Sequence, residues 1–164
     1  MGAPRLTEFA RSFGFGNGDF SGDPGKNNGV DRACWIASSL RVSPYEQAVF
    51  LSKLVTRRLP VSARAMLAAE NLVEVLPAAG GWQVHGKTGT AYPRNENGVA
   101  DERHGYGWYV GWASRGSRTL VFARLDQDER AEVVPTGLRT RTALVAAWPV
   151  LAEAASRLNG ADVR

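Results

Sequence analysis

The hydrophobic pattern of the chain changes its period once, at Gly80-Gly81, and this change constrains the fold more than any other feature. Before the two glycines, apolar residues recur every three to four positions, as they do on one face of a helix. After the glycines, three segments alternate between two faces, which is typical of strands in an antiparallel sheet. The sequence therefore predicts helices followed by a sheet, within a single domain covering 1–164.

Four helices are expected. The first runs from Leu6 to Phe13 and ends in a glycine-punctuated loop over 14–29. The second begins at the tetrapeptide Ser-Pro-Tyr-Glu at 43–46, where Ser stands at the cap position, Pro at the first helical position and Glu at the third. The third begins at Ser62 and ends before Pro77, and the last, roughly Arg141 to Leu158, follows the sheet. Each carries an apolar stripe that needs a partner surface.

Three strands are expected after the glycines. The first covers Trp82 to Lys87, the second Tyr106 to Trp112 and the third Thr119 to Asp126. The short turn Arg115-Gly116-Ser117 joins the second strand to the third, so these two form a hairpin. The fold class that follows is α+β, with helices plus an antiparallel sheet covered by a C-terminal helix.

Charge and cysteine content exclude several classes of function. Twenty basic and 16 acidic residues give a net charge of +4, and the basic residues are scattered along the chain rather than clustered, so a nucleic-acid partner is not expected. Cys34 is the only cysteine, and it is expected to be a buried, small, apolar residue. It does not lie at short ligand spacing from His85 or His104, so no metal site is expected. The longest apolar stretch, 143–155, is too short to span a bilayer, so no membrane partner is expected.

The tripeptide Lys87-Thr88-Gly89 at the end of the first strand is the clearest chemical motif. Lysine places a cation near a reacting serine and a substrate anion, threonine offers a hydroxyl, and glycine lets a ligand approach the backbone. A Lys-Thr-Gly motif at a strand edge is the third motif of serine enzymes that recognise penicillins. The alternative is an exposed strand end with a solvated lysine.

Further motifs appear in a fixed order around this tripeptide. They are Phe15-Gly16-Asn17 with the loop that follows, the segment 35–47 that starts at Trp35, the segment 107–112 around Trp108, and Leu138-Arg139. In this order and spacing the chain resembles the C-terminal portion of a class D serine β-lactamase, the oxacillinase type, from about Leu6 to about Leu158. The resemblance implies a partial serine β-lactamase or penicillin-binding transpeptidase-like fold, with hydrolysis of penicillins through an acyl-serine intermediate as the activity of the intact family.

The resemblance also implies a role for individual residues. Phe15, Gly16 and Asn17 match the family's Tyr-Gly-Asn, with a phenylalanine that cannot donate a hydrogen bond where tyrosine is common. Trp35 matches the tryptophan whose indole N–H holds a carboxylated lysine, the general base of the family. Lys87, Thr88 and Gly89 match the substrate-binding strand, and Arg139 matches the arginine that meets the β-lactam carboxylate. Trp108 is expected to pack in the core, and core packing is the alternative role of Trp35.

The first two motifs of the family are missing from these 164 residues. No serine is followed by lysine three positions later; the nearest approaches, at Ser38 and Ser62, have Arg41 and Ala65 there. The Ser-x-Val motif is also absent. The chain is therefore expected to lack the nucleophile and the CO₂-modified lysine, to use no cofactor, and to be inactive alone.

A β-lactam and the missing N-terminal segment are the partners that the resemblance implies. An intact member of the family is expected in the periplasm, and this chain, which begins without a signal peptide, in the cytoplasm if expressed as given. Two other functions stay open: a penicillin-binding sensor domain of an antibiotic-responsive receptor, and a non-catalytic ligand-binding module.

Overall fold

The computed structural model describes residues 2–31 and 33–161, and within them it confirms an α+β fold. The helices are α1 (Ala3–Phe13), α2 (Cys34–Ala37), α3 (Pro44–Val55), α4 (Ala63–Glu70) and α5 (Thr136–Ala161). The strands are β1 (Glu74–Ala78), β2 (Trp82–Ala91), β3 (Tyr106–Arg115) and β4 (Arg118–Gln127). Short 3-10 turns at Ala79–Gly81 and Glu102–His104 complete the list.

The four strands form one antiparallel sheet in the order β1-β2-β3-β4. The hairpin between β3 and β4 is confirmed: Arg115 pairs with Arg118 across a two-residue turn, in which Gly116 adopts a left-handed conformation with φ of 58°. Each strand follows its neighbour directly in sequence, so the sheet is a meander. This arrangement leaves both faces free to be covered by helices.

Helices cover the two faces of the sheet and create two cores. Helix α5 covers one face, where its Leu144, Trp148 and Ala152 pack against a row of buried strand residues. That row consists of Trp82, Val84, Tyr109, Ala113 and Phe122. Helices α3 and α4 cover the other face, where Leu51, Leu54 and Met66 pack with Trp112. The sheet is therefore buried between two layers of helices, apart from its edges and ends.

The helix predicted from Ser62 to before Pro77 is wrong in its second half. Helix α4 begins after the cap that Ser62 provides and ends at Glu70, with Asn71 at its C-cap, and the following residues form strand β1. The apolar residues after Asn71 fit a helical spacing by coincidence, since β1 pairs with β2 from Glu74↔Gly86 to Ala78↔Trp82. Pro77 is tolerated because β1 is an edge strand with a side that needs no hydrogen-bond donor.

Helix α3 confirms the predicted capping box. The Ser43 hydroxyl oxygen accepts from the Glu46 backbone N–H, and the Glu46 carboxylate accepts from the Ser43 backbone N–H. The last helix begins five residues earlier than predicted, at Thr136 instead of Arg141. Its first turn was not recognised from the sequence because Thr136 and Gly137 have low helix propensity, and tertiary contacts hold them in place. Arg139 consequently lies in the first turn of a helix rather than in a loop.

In the part of the chain that the structure describes, none of the helices combines the length and the hydropathy that crossing a membrane requires.

Tyr109 occupies the centre of the α5-side core and is fully buried. Its ring packs against Phe122 at a centroid distance of 5.2 Å, and a side chain at Gly86 would come within 2.7 Å of it. The phenol hydroxyl has no hydrogen-bond partner among the described residues. Burial therefore raises the pKa of Tyr109 to about 12.

The Tyr109 phenol predicts a loss of stability in alkali. In the unfolded chain a tyrosine ionises near pH 10, whereas in the folded chain the proton is kept up to about pH 12. The contribution of Tyr109 is thus complete below pH 10, and the free energy of unfolding falls by about 1–3 kcal/mol as the pH rises from 10 to 12. Chemical denaturation at pH 8 and pH 11 measures this fall.

Tyr109→Phe should abolish this part of the pH dependence. It should not lower stability at pH 8, because it removes an unpartnered buried hydroxyl. Tyr45→Phe, on an exposed ring, is the matched control. It should change neither the stability at pH 8 nor the fall in stability at pH 11. An alkaline loss of the same size in Tyr109→Phe and in the unmodified chain would contradict the assignment.

Strand β4 leaves one edge of the sheet open. Within the described residues it pairs with β3 alone, along ten positions from Arg118 to Gln127. Its centre is apolar, and Leu125 near its end is 41% exposed. A long apolar strand with free backbone N–H and C=O groups is a template for pairing with another chain.

The open edge of β4 predicts self-association of the isolated chain. Leu125→Lys should reduce it, because a charged lysine on an edge strand opposes edge-to-edge pairing. Leu72→Lys is the control, since Leu72 is 85% exposed but lies away from β4. Light scattering over a concentration series measures the effect. A monomeric unmodified chain with a sharp, cooperative melt would show that the edge is already covered.

Candidate functional site

A pocket of about 230 Å³ lies on the α3-side face of the sheet, next to the end of β2. It brings together five of the residues singled out from the sequence: Phe15, Trp35, Lys87, Thr88 and Gly89. The remaining residues of its wall are Leu40, Val42, Gln47, Trp108 and Val110. The pocket therefore combines one cationic side chain with a mostly apolar wall.

The sheet positions the Lys-Thr-Gly tripeptide through its pairing with β3. Lys87 pairs with Val110 and Gly89 with Trp108, so these four residues share one face. Thr88 pairs with the buried Tyr109 and thus points to the α5 side, and it borders the pocket between its neighbours. This register is what gathers the lysine and the tryptophan at one place.

The second half of β2 also has a free edge. Strand β1 pairs with β2 only as far as Gly86, so among the described residues no strand pairs with 87–91 on that side. Backbone N–H and C=O groups there are available to an extended ligand, which would add to the sheet as a further strand does. The free edge and the pocket adjoin each other at Lys87, Thr88 and Gly89.

Lys87 and Gly89 suit the approach of a ligand. The Lys87 side chain is exposed, and its Nζ donates to the Thr88 carbonyl at 2.7 Å, which leaves two of its N–H groups unused within the described part of the chain. A Cβ added at Gly89 would meet only the Cβ of Trp108, at 3.9 Å. The strand is thus open at this position.

Trp35 and Trp108 form apolar walls. Trp35 lies on the short helix α2 and is 53% exposed, so it does not pack in a core. The next residue along, Ile36, accepts a hydrogen bond at its carbonyl from the Tyr106 hydroxyl, which ties α2 to the start of β3. The predicted core position of Trp108 is wrong. Trp112 fills the core beneath α3 and α4, whereas Trp108, about 13 Å earlier along the strand, is absent from that core and lines the pocket.

Phe15 contributes an apolar surface. Its ring packs edge-to-face on Phe50 at 5.0 Å and lines the pocket without any hydroxyl. Gly16 is required by conformation, because its φ is 53° and a Cβ there would collide with the Arg41 carbonyl. The backbone of the loop can therefore lie directly against the segment around Arg41.

Asn17 does not line this pocket; its amide joins two loops. Its Oδ1 accepts from the backbone N–H groups of Asp19 at 3.2 Å and Arg41 at 3.0 Å, and its Nδ2 donates to the Ser39 carbonyl at 2.8 Å. The backbone N–H of Asn17 donates to the Arg41 carbonyl at 3.0 Å. Asn17 thus positions the chain between Trp35 and Val42, which are themselves wall residues.

Arg139 also lies outside the pocket wall. Its guanidinium forms an ion pair with Asp128 and donates from Nε to the Val134 carbonyl at 3.0 Å. The helix that carries it is nonetheless anchored at the site: Gly137 donates from its backbone N–H to the Thr90 hydroxyl at 2.9 Å, and a Cβ there would collide with the Gly89 carbonyl. Arg139 therefore lies outside the pocket wall, on a helix whose first turn contacts the end of β2.

Gln47 is the polar wall residue that sequence reasoning missed. It lies in the first half of α3, and its Oε1 is buried without a hydrogen-bond partner among the described residues. It is the last residue of the motif segment 35–47, but no individual role was assigned to it, because only the packing of α3 against the loop brings it to the pocket. A buried acceptor of this kind costs free energy unless a donor reaches it.

Cys34 is buried, as predicted, and burial raises the pKa of its thiol, so it is a poor nucleophile. Within residues 2–31 and 33–161, no three His, Cys, Asp or Glu side chains come together in a way that could hold a metal ion. The pocket wall thus presents the Lys87 cation beside apolar side chains, in a part of the chain without such a cluster.

Comparison with known proteins gives consistent matches. Residues 1–147 match the family model described as the penicillin binding protein transpeptidase domain. The chain is 42% identical over 151 residues to the β-lactamase OXA-9 of Klebsiella pneumoniae, which covers 92% of this chain and 55% of that protein. It is 33% identical over 126 residues to the β-lactamase OXA-1 of Escherichia coli, which covers 74% of this chain and 42% of that protein. The resemblance to class D β-lactamases is confirmed.

Solved structures show the same fold. The crystal structure of the class D β-lactamase OXA-427 superposes with a TM-score of 0.80 at 41% identity, covering 93% of this chain and 62% of that one. The C-terminal domain of the BlaR penicillin-receptor of Bacillus licheniformis superposes with a TM-score of 0.64 at 24% identity, covering 87% and 52%, which shows the fold alone. The chain spans about half the length of the curated relatives named above.

The contacts of Asn17 predict a role in stability. Asn17→Ala removes three hydrogen bonds, so the free energy of unfolding should fall by about 1–3 kcal/mol. Asn97→Ala is the matched control, because Asn97 lies in an exposed turn and its side chain makes no hydrogen bond within the described residues. Denaturant titration of both variants measures the difference. Equal stabilities would contradict the role assigned to Asn17.

Proposed function

We propose that this chain, which belongs to the penicillin binding protein transpeptidase domain family and has class D β-lactamases as relatives, supplies the substrate-binding part of a class D serine β-lactamase. The observation that carries the proposal is the pocket at the free edge of β2, where Lys87, Thr88 and Gly89 meet Trp35 and Trp108. A penicillin is an anion with an amide side chain and an apolar bicycle. Each of these parts has a counterpart at the site.

The counterparts follow from elementary chemistry. The Lys87 ammonium attracts the carboxylate, and the unpaired backbone beside Gly89 exchanges hydrogen bonds with the ligand amide. Trp35, Trp108 and Phe15 cover the apolar part of the ligand and exclude water from it. Arg139, in the first turn of α5, adds a second cation for the carboxylate. No metal or organic cofactor is needed for these contacts.

The covalent steps need groups that these 164 residues do not contain. In the complete reaction a serine oxygen attacks the lactam carbonyl carbon, the C–N bond breaks, and the nitrogen takes up a proton. Water then hydrolyses the acyl-serine, and a carboxylated lysine acts as base in both halves. Binding and orientation by Lys87, Gly89 and Arg139 do not replace a nucleophile. We therefore propose that the chain alone is inactive and that a segment carrying Ser-x-x-Lys is its partner.

A penicillin-binding sensor is the second candidate. The structural likeness to the BlaR receptor domain favours it, although at 24% identity this likeness concerns the fold. A sensor and a β-lactamase share acylation and differ in the lifetime of the acyl-serine. For the complete protein of either kind we propose an extracytoplasmic location, the periplasm in the case of the β-lactamase.

The proposal predicts that the purified chain forms no acyl adduct and hydrolyses no β-lactam. Intact-protein mass spectrometry after incubation with benzylpenicillin tests the first point, and turnover of a chromogenic cephalosporin tests the second. Adding the N-terminal part of a class D β-lactamase, with its Ser-x-x-Lys motif, should produce both signals if the two parts assemble. A long-lived adduct without turnover would favour the sensor.

The assembled protein also tests the pocket. Lys87→Met should raise KM for benzylpenicillin by about tenfold or more, because a charge-assisted contact is lost. Lys26→Met, which removes an exposed lysine in the 14–29 loop, is the matched control. A stoichiometric adduct on the unassembled chain would contradict the proposed inactivity. Equal KM values for the two variants would contradict the assignment of the pocket.

A further inference from the structure

Asp128, directly after β4, has both carboxylate oxygens occupied by the start of α5. Its Oδ2 accepts from the Thr136 hydroxyl at 2.6 Å, and its Oδ1 accepts from Nη2 of Arg139. Its backbone N–H donates to the Gly105 carbonyl at 2.8 Å, which fixes the residue next to the start of β3. The side chain is only 9% exposed. A carboxylate held in this way has one orientation.

The ion pair between Asp128 and Arg139 determines where the Arg139 guanidinium points. Two of its five N–H groups are used, one by Asp128 and one by the Val134 carbonyl. The other three have no partner among the described residues, and the side chain is 38% exposed. One side of the guanidinium is thus held by the protein, and the other side is open to an anion.

The first turn of α5 links this pair to the strand edge. Thr136, which binds Asp128, is followed by Gly137, whose backbone contacts Gly89 and Thr90. Arg139 lies two residues further on, within the same helical turn. With one carboxylate, Asp128 therefore fixes both the Arg139 guanidinium and the start of α5, and this helix start contacts Gly89 and Thr90.

We propose that Asp128 is a positioning residue for the binding of a ligand carboxylate by Arg139. Without it, the long arginine side chain would rotate freely and would have to be ordered by the ligand, at a cost in side-chain entropy. The Asp128 charge also polarises the guanidinium, and the Thr136 hydroxyl followed by Arg139 keeps the pKa of Asp128 below its usual value, so the charge persists at neutral pH. The inference rests on the proposed function for its ligand and on the contacts above for its geometry.

The positioning is measurable without a ligand. In ¹⁵N spectra of the unmodified chain, hydrogen exchange of the Arg139 Nη2–H groups, one of which donates to Asp128, should be slower by about tenfold than that of the Nη–H groups of Arg64, which has no hydrogen-bond partner among the described residues. Asp128→Asn keeps the shape and loses the charge, and it should bring the Arg139 rate close to that of Arg64. Asp126→Asn is the matched control, because it should change the signal of its partner Arg124 and leave Arg139 unchanged.

The second arm measures affinity for benzylpenicillin by titration followed in the same spectra. Asp128→Asn should weaken binding about threefold to tenfold, and it should have no further effect in the Arg139→Ala background, because Asp128 acts through Arg139. An Arg139 exchange rate that does not differ from that of Arg64 in the unmodified chain overturns the proposal, and this reading needs no variant. Equal loss of affinity in both backgrounds also overturns it. A protected Arg139 together with no binding by the unmodified chain instead overturns the ligand assigned under the proposed function.

Discussion

The antiparallel pairing of β2 with β3 is the contact on which the cores and the site both depend. It joins nine residue pairs, from Gln83↔Ser114 to Ala91↔Tyr106. Gly86 leaves room for the Tyr109 ring, and a side chain at Gly111 would collide with the His85 carbonyl. This pairing register therefore requires glycine at both positions. A slip of one residue would place Lys87 and Gly89 on the same face as Tyr109, so either the lysine would enter the α5-side core or the tyrosine would lie at the pocket. The register that buries the tyrosine is therefore also the register that exposes the lysine.

How far the fold could be predicted depended on whether the deciding contacts were local. The alternation of apolar residues predicted β2, β3 and β4, and the cap at Ser43 predicted α3, because both signals lie within a few residues. Strand β1 was missed because its apolar residues continue the spacing of α4, and only pairing with β2 distinguishes the two states. The start of α5 was missed because Thr136 is held by Asp128 and Gly137 by Thr90, contacts that no local pattern contains.

The residues of the candidate site also fall into two groups, those that a local motif identified and those whose place only the packing determines. Phe15, Trp35, Lys87, Thr88 and Gly89 were identified from motifs and line one pocket. Gly16 and Asn17 were identified from the same motif, yet they support the site from outside, because a motif records which residues occur together and not which of them face a ligand. Trp108 and Gln47 also lie in motif segments, at 107–112 and 35–47, but their place in the pocket wall depends on the packing of β3 and α3, which no local pattern contains.

Two of the open stretches of the sheet, the second half of β2 and the outer side of β4, differ in length and chemistry, and this difference argues for two kinds of occupant. The free edge of β2 covers 87–91, begins at a lysine and adjoins a small pocket, which is why we propose a small anionic molecule as its occupant. The free edge of β4 covers ten residues with an apolar centre, and it matches an extended strand of similar length. A small ligand would leave most of β4 unpaired, whereas a long strand on β2 would be stopped by β1 at Gly86. The edge that we propose binds a ligand and the edge that we expect to pair with another strand therefore lie on opposite sides of β3.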